Sequence, residues 1–248
     1  MPHDDSAAGV WASIGLEPAR PGDRPGVSGQ LQRVCRIAAT TLPATGVGVS
    51  VLARDGTQVS AAASDETHEA IEELQLTMGE GPCLDAFSTG APVLVPDLGA
   101  SARTRWPGYA PEALDHGVRA VFAFPLQVGA VGVGALDVYR DRAGPLTTKA
   151  VDQAVTFAEV AVRTLLDAET GTANAEPAEG GRDLSILDTF THRLELYQAQ
   201  GMVMMQLGIS LVQAMARLRA YAYAHDRPLH DVAADVVARR VVLVDDRV

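Results

Sequence analysis

The sequence predicts an α+β domain, an antiparallel sheet with flanking helices, followed by an all-α module of three helices. Three observations carry this. The stretch 46–53, GVGVSVLA, sets Val47, Val49 and Val51 in the two-residue period of a strand, and Asp55-Gly56 marks a hairpin turn before 57–63. Neighbouring strands joined by a hairpin argue for an antiparallel sheet, not a doubly wound one. After residue 183 strand patterns cease, and apolar residues step by three and four.

Residues 1–26 hold four prolines and little periodicity, and read as a flexible leader. A helix is expected over 27–42, with Leu31, Val34, Cys35, Ala38 and Leu42 on one face. The strand pair 46–53 and 57–63 follows, then a helix over 65–76 with an acidic outer side. Strands are expected at 92–96, 119–127 and 131–139; Gly132 and Gly134 leave the last with one bare face, suited to close packing. A helix over 148–168 closes the unit on a stripe of Val151, Val155, Ala158, Val162 and Leu165. The segment 167–183, DAETGTANAEPAEGGRD, is nearly free of large apolar groups and reads as a linker. These breaks divide the chain into a leader (1–26), an α+β domain (27–168), a linker (169–183) and a helical module (184–244).

The stretch 196–215, LYQAQGMVMMQLGISLVQAM, has no formal charge. Its five polar residues (Gln198, Gln200, Gln206, Ser210 and Gln213) suit a membrane interior badly, and Ser210 with Gln213 has capping-box spacing. It therefore reads as two helices meeting at Gly208, not as a span. Pro228 suits the first position of a third helix. Two cysteines in 248 residues make no disulfide framework and fit a reducing cytoplasm. The net charge is −11, and residues 183–248 hold 7 basic against 8 acidic side chains. Such a chain is a poor general polyanion binder, because phosphate contacts depend on Lys and Arg.

Gln198-Ala199-Gln200-Gly201-Met202-Val203-Met204, Gly208-Ile209-Ser210, Ala214, Leu218-Arg219, Ala222 and Leu229-His230-Asp231-Val232-Ala233 together resemble an ANTAR domain. The resemblance implies a three-helix, dimeric module that binds paired stem-loops in leader transcripts and favours an antiterminator. Gln198, Gln200, Gly201, Gln206, Arg219 and Arg227 are then the RNA-binding candidates, since splayed RNA bases are read by stacking and by hydrogen bonds to their edges. Positions 200 and 206, basic in the family, are glutamines here. Leu187, Phe190, Leu194 and Tyr197 keep a heptad rhythm and form the candidate dimer seam.

Residues 27–168 resemble a GAF domain through QLTMGEGPCLDA at 75–86, GAPVLVPDL at 90–98, GVRAVFAFPL at 117–126 and GALDVY at 134–139. The resemblance implies a small-molecule sensor with a pocket on one side of its sheet. Met78, Cys83, Leu84, Phe87, Trp106, Tyr109 and Phe122 are the candidate lining, with core packing as the alternative for each. The signal and any cofactor stay unknown: the asparagine and lysine of cyclic-nucleotide GAF domains are missing, and His68 and His116 read as surface histidines. No nucleophile–base pair or metal grouping stands out, so no catalysis is expected. Two functions remain open. One is a signal-responsive, homodimeric antitermination regulator; the other is a sensor whose tail serves only dimerisation or protein contact.

Overall fold

A computed structural model describes residues 3–18, 20, 23–24, 26–52, 58–174 and 184–244; the expected turn at Asp55-Gly56 lies outside them. The chain begins with α1 (His3–Leu16) and α2 (Gly26–Thr41), then forms β1 (Gly46–Leu52) and β2 (Gln58–Ala63). Four helices follow around one short strand: α3 (Glu66–Met78), α4 (Pro82–Thr89), β3 (Val93–Val95), α5 (Leu98–Arg105) and α6 (Tyr109–Asp115). The strands β4 (Ala120–Val128) and β5 (Val131–Arg140) lead into α7 (Thr148–Asn174), and α8 (Leu184–Leu207), α9 (Leu211–Ala224) and α10 (Leu229–Val237) complete the tail.

The five strands make one sheet in the order β2-β1-β5-β4-β3, with every neighbouring pair antiparallel. Strand alternation sorts the side chains to two cores. On one face Val47, Val49, Phe122, Phe124, Leu136 and Val138 pack against Leu31, Val34 and Cys35 of α2 and Phe157 and Ala161 of α7. On the other, Val121, Ala123 and Tyr139 meet Ile71 of α3, Leu98 of α5, Trp106, and Tyr109 and Ala113 of α6. Helices thus cover both faces.

Two segments differ from the sequence expectation. The expected flexible leader contains α1, whose buried Ile14 joins the first core and whose Trp11 ring lies 5.9 Å from the Arg163 guanidinium on α7. Its apolar residues follow no clear helical period in the sequence; docking on α7 stabilises it more than propensity does. Helix α7 runs six residues into the expected linker, reaching Asn174.

In the tail, Leu196, Ala199 and Val203 of α8, Ala214, Leu218 and Ala222 of α9, and Leu229, Val232, Ala233 and Val236 of α10 close a third core. Gly208 ends α8 at φ +62°, a conformation that favours glycine. The Ser210 hydroxyl then accepts from the Gln213 N–H at 3.3 Å, and the Gln213 side-chain oxygen accepts from the Ser210 N–H at 2.9 Å. No single helix among the described residues is long and apolar enough to cross a membrane; α8 and α9 pass that test only as a pair bent by 105°. The capping box yields a first test. Ser210→Ala is expected to cost about 1 kcal/mol in urea unfolding, and an unchanged midpoint would count against the cap.

Candidate functional site

Two regions hold the candidate chemistry, and α3 separates them. Its inner face lies on a strip of β1 made bare by glycine. A Cβ at Gly46 would stand 2.2 Å from the His68 ring, and one at Gly48 would stand 2.0 Å from Glu72 Oε1. The i, i+4 pair His68 and Glu72 therefore needs those glycines to approach the strand. His68, expected at the surface, is buried; its ring nitrogen Nδ1 lies 2.8 Å from Asp65, the residue that caps α3.

Beneath α3 lies a sealed polar network. The Ser50 hydroxyl donates to Glu72 Oε2 at 2.6 Å, and the Tyr139 hydroxyl donates to Glu72 Oε1 at 2.7 Å. The Gln75 amide donates to Asp137 Oδ2 at 2.6 Å, while its oxygen accepts from the Cys83 N–H at 2.9 Å. Asp137 Oδ1 and the Tyr109 hydroxyl are buried without a hydrogen-bond partner. Burial pushes Glu72 up to about 7 and holds Asp137 well above the carboxylate range, with Glu72 the next cause. Two acids sealed together without a cation retain a proton.

The GEGPCLDA motif frames this network. Gly79 caps α3 at φ +68°. Glu80 accepts from the Gly108 and Tyr109 N–H groups at 2.6 and 3.0 Å, which fixes the start of α6. Gly81, at φ +149°, admits Gln75: a Cβ there would meet its Oε1 at 2.3 Å. Pro82 opens α4, and Asp85 pairs with Arg105 at 2.7 Å.

Six of the seven candidate lining residues lie over this sheet face, in two apolar groups. Trp106 and Tyr109 pack with Met78, whereas Cys83, Leu84 and Phe87 pack with Leu52 and Ala135. Phe122 does not join them. It follows Val121 in a strand, so its side chain turns to the opposite core against α2 and α7. Glu72, Gln75, Asp137 and Tyr139 are not among the candidates expected from the sequence. Their signal was present: His68, Glu72 and Gln75 recur at helical spacing beside Ile71, and Asp137 interrupts an apolar strand.

The second region is the tail. Gln198 is exposed on α8. The Gln200 amide donates to the Leu211 carbonyl at 2.8 Å, and the Gln206 amide donates to the Leu243 carbonyl. Gly201 faces open space. Arg227 is paired with Asp235 at 2.6 Å. Arg219 lies over Gly79 at the C-terminus of α3, partly buried, with its Nε unpartnered and its pKa lowered by that burial. The Leu187, Phe190 and Leu194 side chains lie outside the described residues, and Tyr197 is half-buried. Among the described residues no group of three His, Cys, Asp or Glu side chains is set to hold a metal.

A five-stranded antiparallel sheet with a sealed polar core thus carries a three-helix unit on one of its helices. The chain belongs to the GAF family: the GAF domain model matches residues 28–165, more than half of the chain, and the ANTAR domain model matches 188–237. Both are regulatory domains. No curated protein matches the chain. Among solved structures it resembles the GAF domain of an Acinetobacter phosphoenolpyruvate-protein phosphotransferase, at 13% identity and TM-score 0.51, over 70% of this chain and 98% of that one. The corresponding Coxiella burnetii domain matches at 15% identity and TM-score 0.51, over 69% of this chain and 96% of that one. At these identities the likeness shows the fold alone.

Glu72 sets a pH dependence. Folding raises its pKa from 4.5 to about 7, so the stability it contributes is complete below 4.5 and is lost as pH rises through 7. Glu72→Gln keeps the size and removes the titration. It is expected to lessen the fall in unfolding free energy between about pH 5 and 8 by on the order of 2 kcal/mol, leaving the part that buried Asp137 contributes. Equal pH profiles for the two proteins would exclude this role.

Proposed function

We propose that the chain is a cytoplasmic, signal-responsive regulator that binds paired stem-loops in nascent RNA and promotes transcription antitermination. The GAF domain senses a small molecule, and two copies associate along α8 through Leu187, Phe190, Leu194 and Tyr197. The observation that carries this reading is the succession of a GAF domain and an ANTAR domain in one chain. The tail's chemistry supports it. Gln198 is exposed, and Gln200 and Gln206 each use one amide N–H internally while keeping a second N–H and a carbonyl oxygen. Such groups read base edges in unpaired loops.

A specific observation favours a second reading. Arg227 is tied to Asp235 and Arg219 is partly covered, so neither of the two candidate guanidiniums is freely presented to phosphate. On that reading the tail serves only dimerisation or protein contact. Filter binding with a tandem stem-loop RNA separates the two. Under the first, the full chain binds and Arg219→Ala weakens binding about tenfold, with the light-scattering mass unchanged. Dimers that bind no RNA would establish the second.

A further inference from the structure

The outer face of α3 is occupied by the ANTAR module. Leu76 inserts into the module's own core beside Leu218 and Leu229. Helix α10 has no side-chain cap of its own, since Pro228 stands at its cap position. The cap comes from the sensor: Glu73 Oε1 accepts the Leu229 N–H at 3.0 Å and lies 3.7 Å from His230 Nδ1. In the last turn of α9, the Tyr223 hydroxyl donates to Glu112 of α6 at 2.9 Å. Arg219 completes the contact, seated over Gly79 so closely that a Cβ there would stand 2.4 Å from Nη1.

We infer that this docked arrangement is an autoinhibited state, in which carboxylates of the sensor hold the ANTAR module and the C-terminal end of α3 covers the cation it offers to RNA. The inference rests on the RNA reading given above. Glu73 sits at the positive end of α10, against an imidazole, where an anionic backbone would gain most. An RNA that takes Arg219 must draw it off Gly79, and the sensor and the transcript therefore compete.

The latch is weak enough to open. Among the described residues Arg219 finds no carboxylate: its Nε is unpartnered, and burial lowers its pKa, so docking removes hydration from the guanidinium without giving it an anion. A phosphate supplies what the docked state withholds. The seam is also incompletely packed. A crevice of about 490 Å³ lies between the domains, with Glu66, Glu69, Glu73 and Glu112 on one side and Asp226, Arg227 and His230 on the other.

The test is RNA affinity in the full chain. Glu73→Ala/Glu112→Ala removes the two carboxylates that hold the tail, neither of which is an RNA contact. Asp152→Ala/Glu159→Ala on α7 makes the same change in net charge away from the seam, and circular dichroism checks that both variants fold. The seam variant is expected to bind a tandem stem-loop RNA about fivefold tighter or more than the wild type and the α7 control. Equal affinity of the seam variant and the control overturns the latch and leaves RNA binding standing. Absence of binding by all three proteins overturns the RNA reading and the latch with it.

Discussion

Two successive carboxylates on α3 point opposite ways, and the architecture depends on that divergence. Glu72 turns inward, to the hydroxyls of Ser50 and Tyr139 beneath the helix. Glu73 turns outward, to the first N–H of α10. A helix advances about 100° per residue, so adjacent positions necessarily face different partners. The same helix therefore roofs the sensor's polar core and carries the effector. Any displacement of α3 that suits the inner network is felt at the outer contact one residue away. Such coupling requires two discrete arrangements that a signal favours unequally.

The inner network is expensive. Burying two acids without a cation costs stability, and an apolar pair of similar volume would fill the same space more cheaply. Glycines at 46, 48 and 81 extend the cost, since each forgoes a side chain so that His68, Glu72 or Gln75 can approach. Polar groups are gathered at one place under α3, with Asp137 Oδ1 and the Tyr109 hydroxyl still unsatisfied, and perturbed buried acids of this kind cluster at functional sites.

Much of the fold was legible because its signals are local. Alternation at Val47, Val49 and Val51 gave β1, and the apolar stripes of α2 and α7 gave the helices of the first core. The family motifs located both domains. What escaped depends on contacts distant in sequence. Helix α1 has no periodicity to announce it and exists by resting on α7. Phe122 looked like a pocket residue until strand alternation placed it on the far face. The cap on α10 joins positions 73 and 229, and nothing in either neighbourhood names the other. Gln200, Gln206 and Arg227 read as presented groups because their residue types suit RNA, but the partners that engage them, Leu211, Leu243 and Asp235, become visible only once the tail is folded.

Helix α3 holds the tail through Glu73, and amide hydrogen exchange at Leu229 reads that contact alone. Amides in the first turn of a helix lack intrahelical partners and exchange readily. In the full chain the Leu229 amide is expected to exchange far more slowly than that, and Glu73→Gln is expected to shorten its lifetime while the amides of α9 keep theirs. Fast exchange at Leu229 in the unaltered chain would contradict the docked arrangement and the coupling drawn from it.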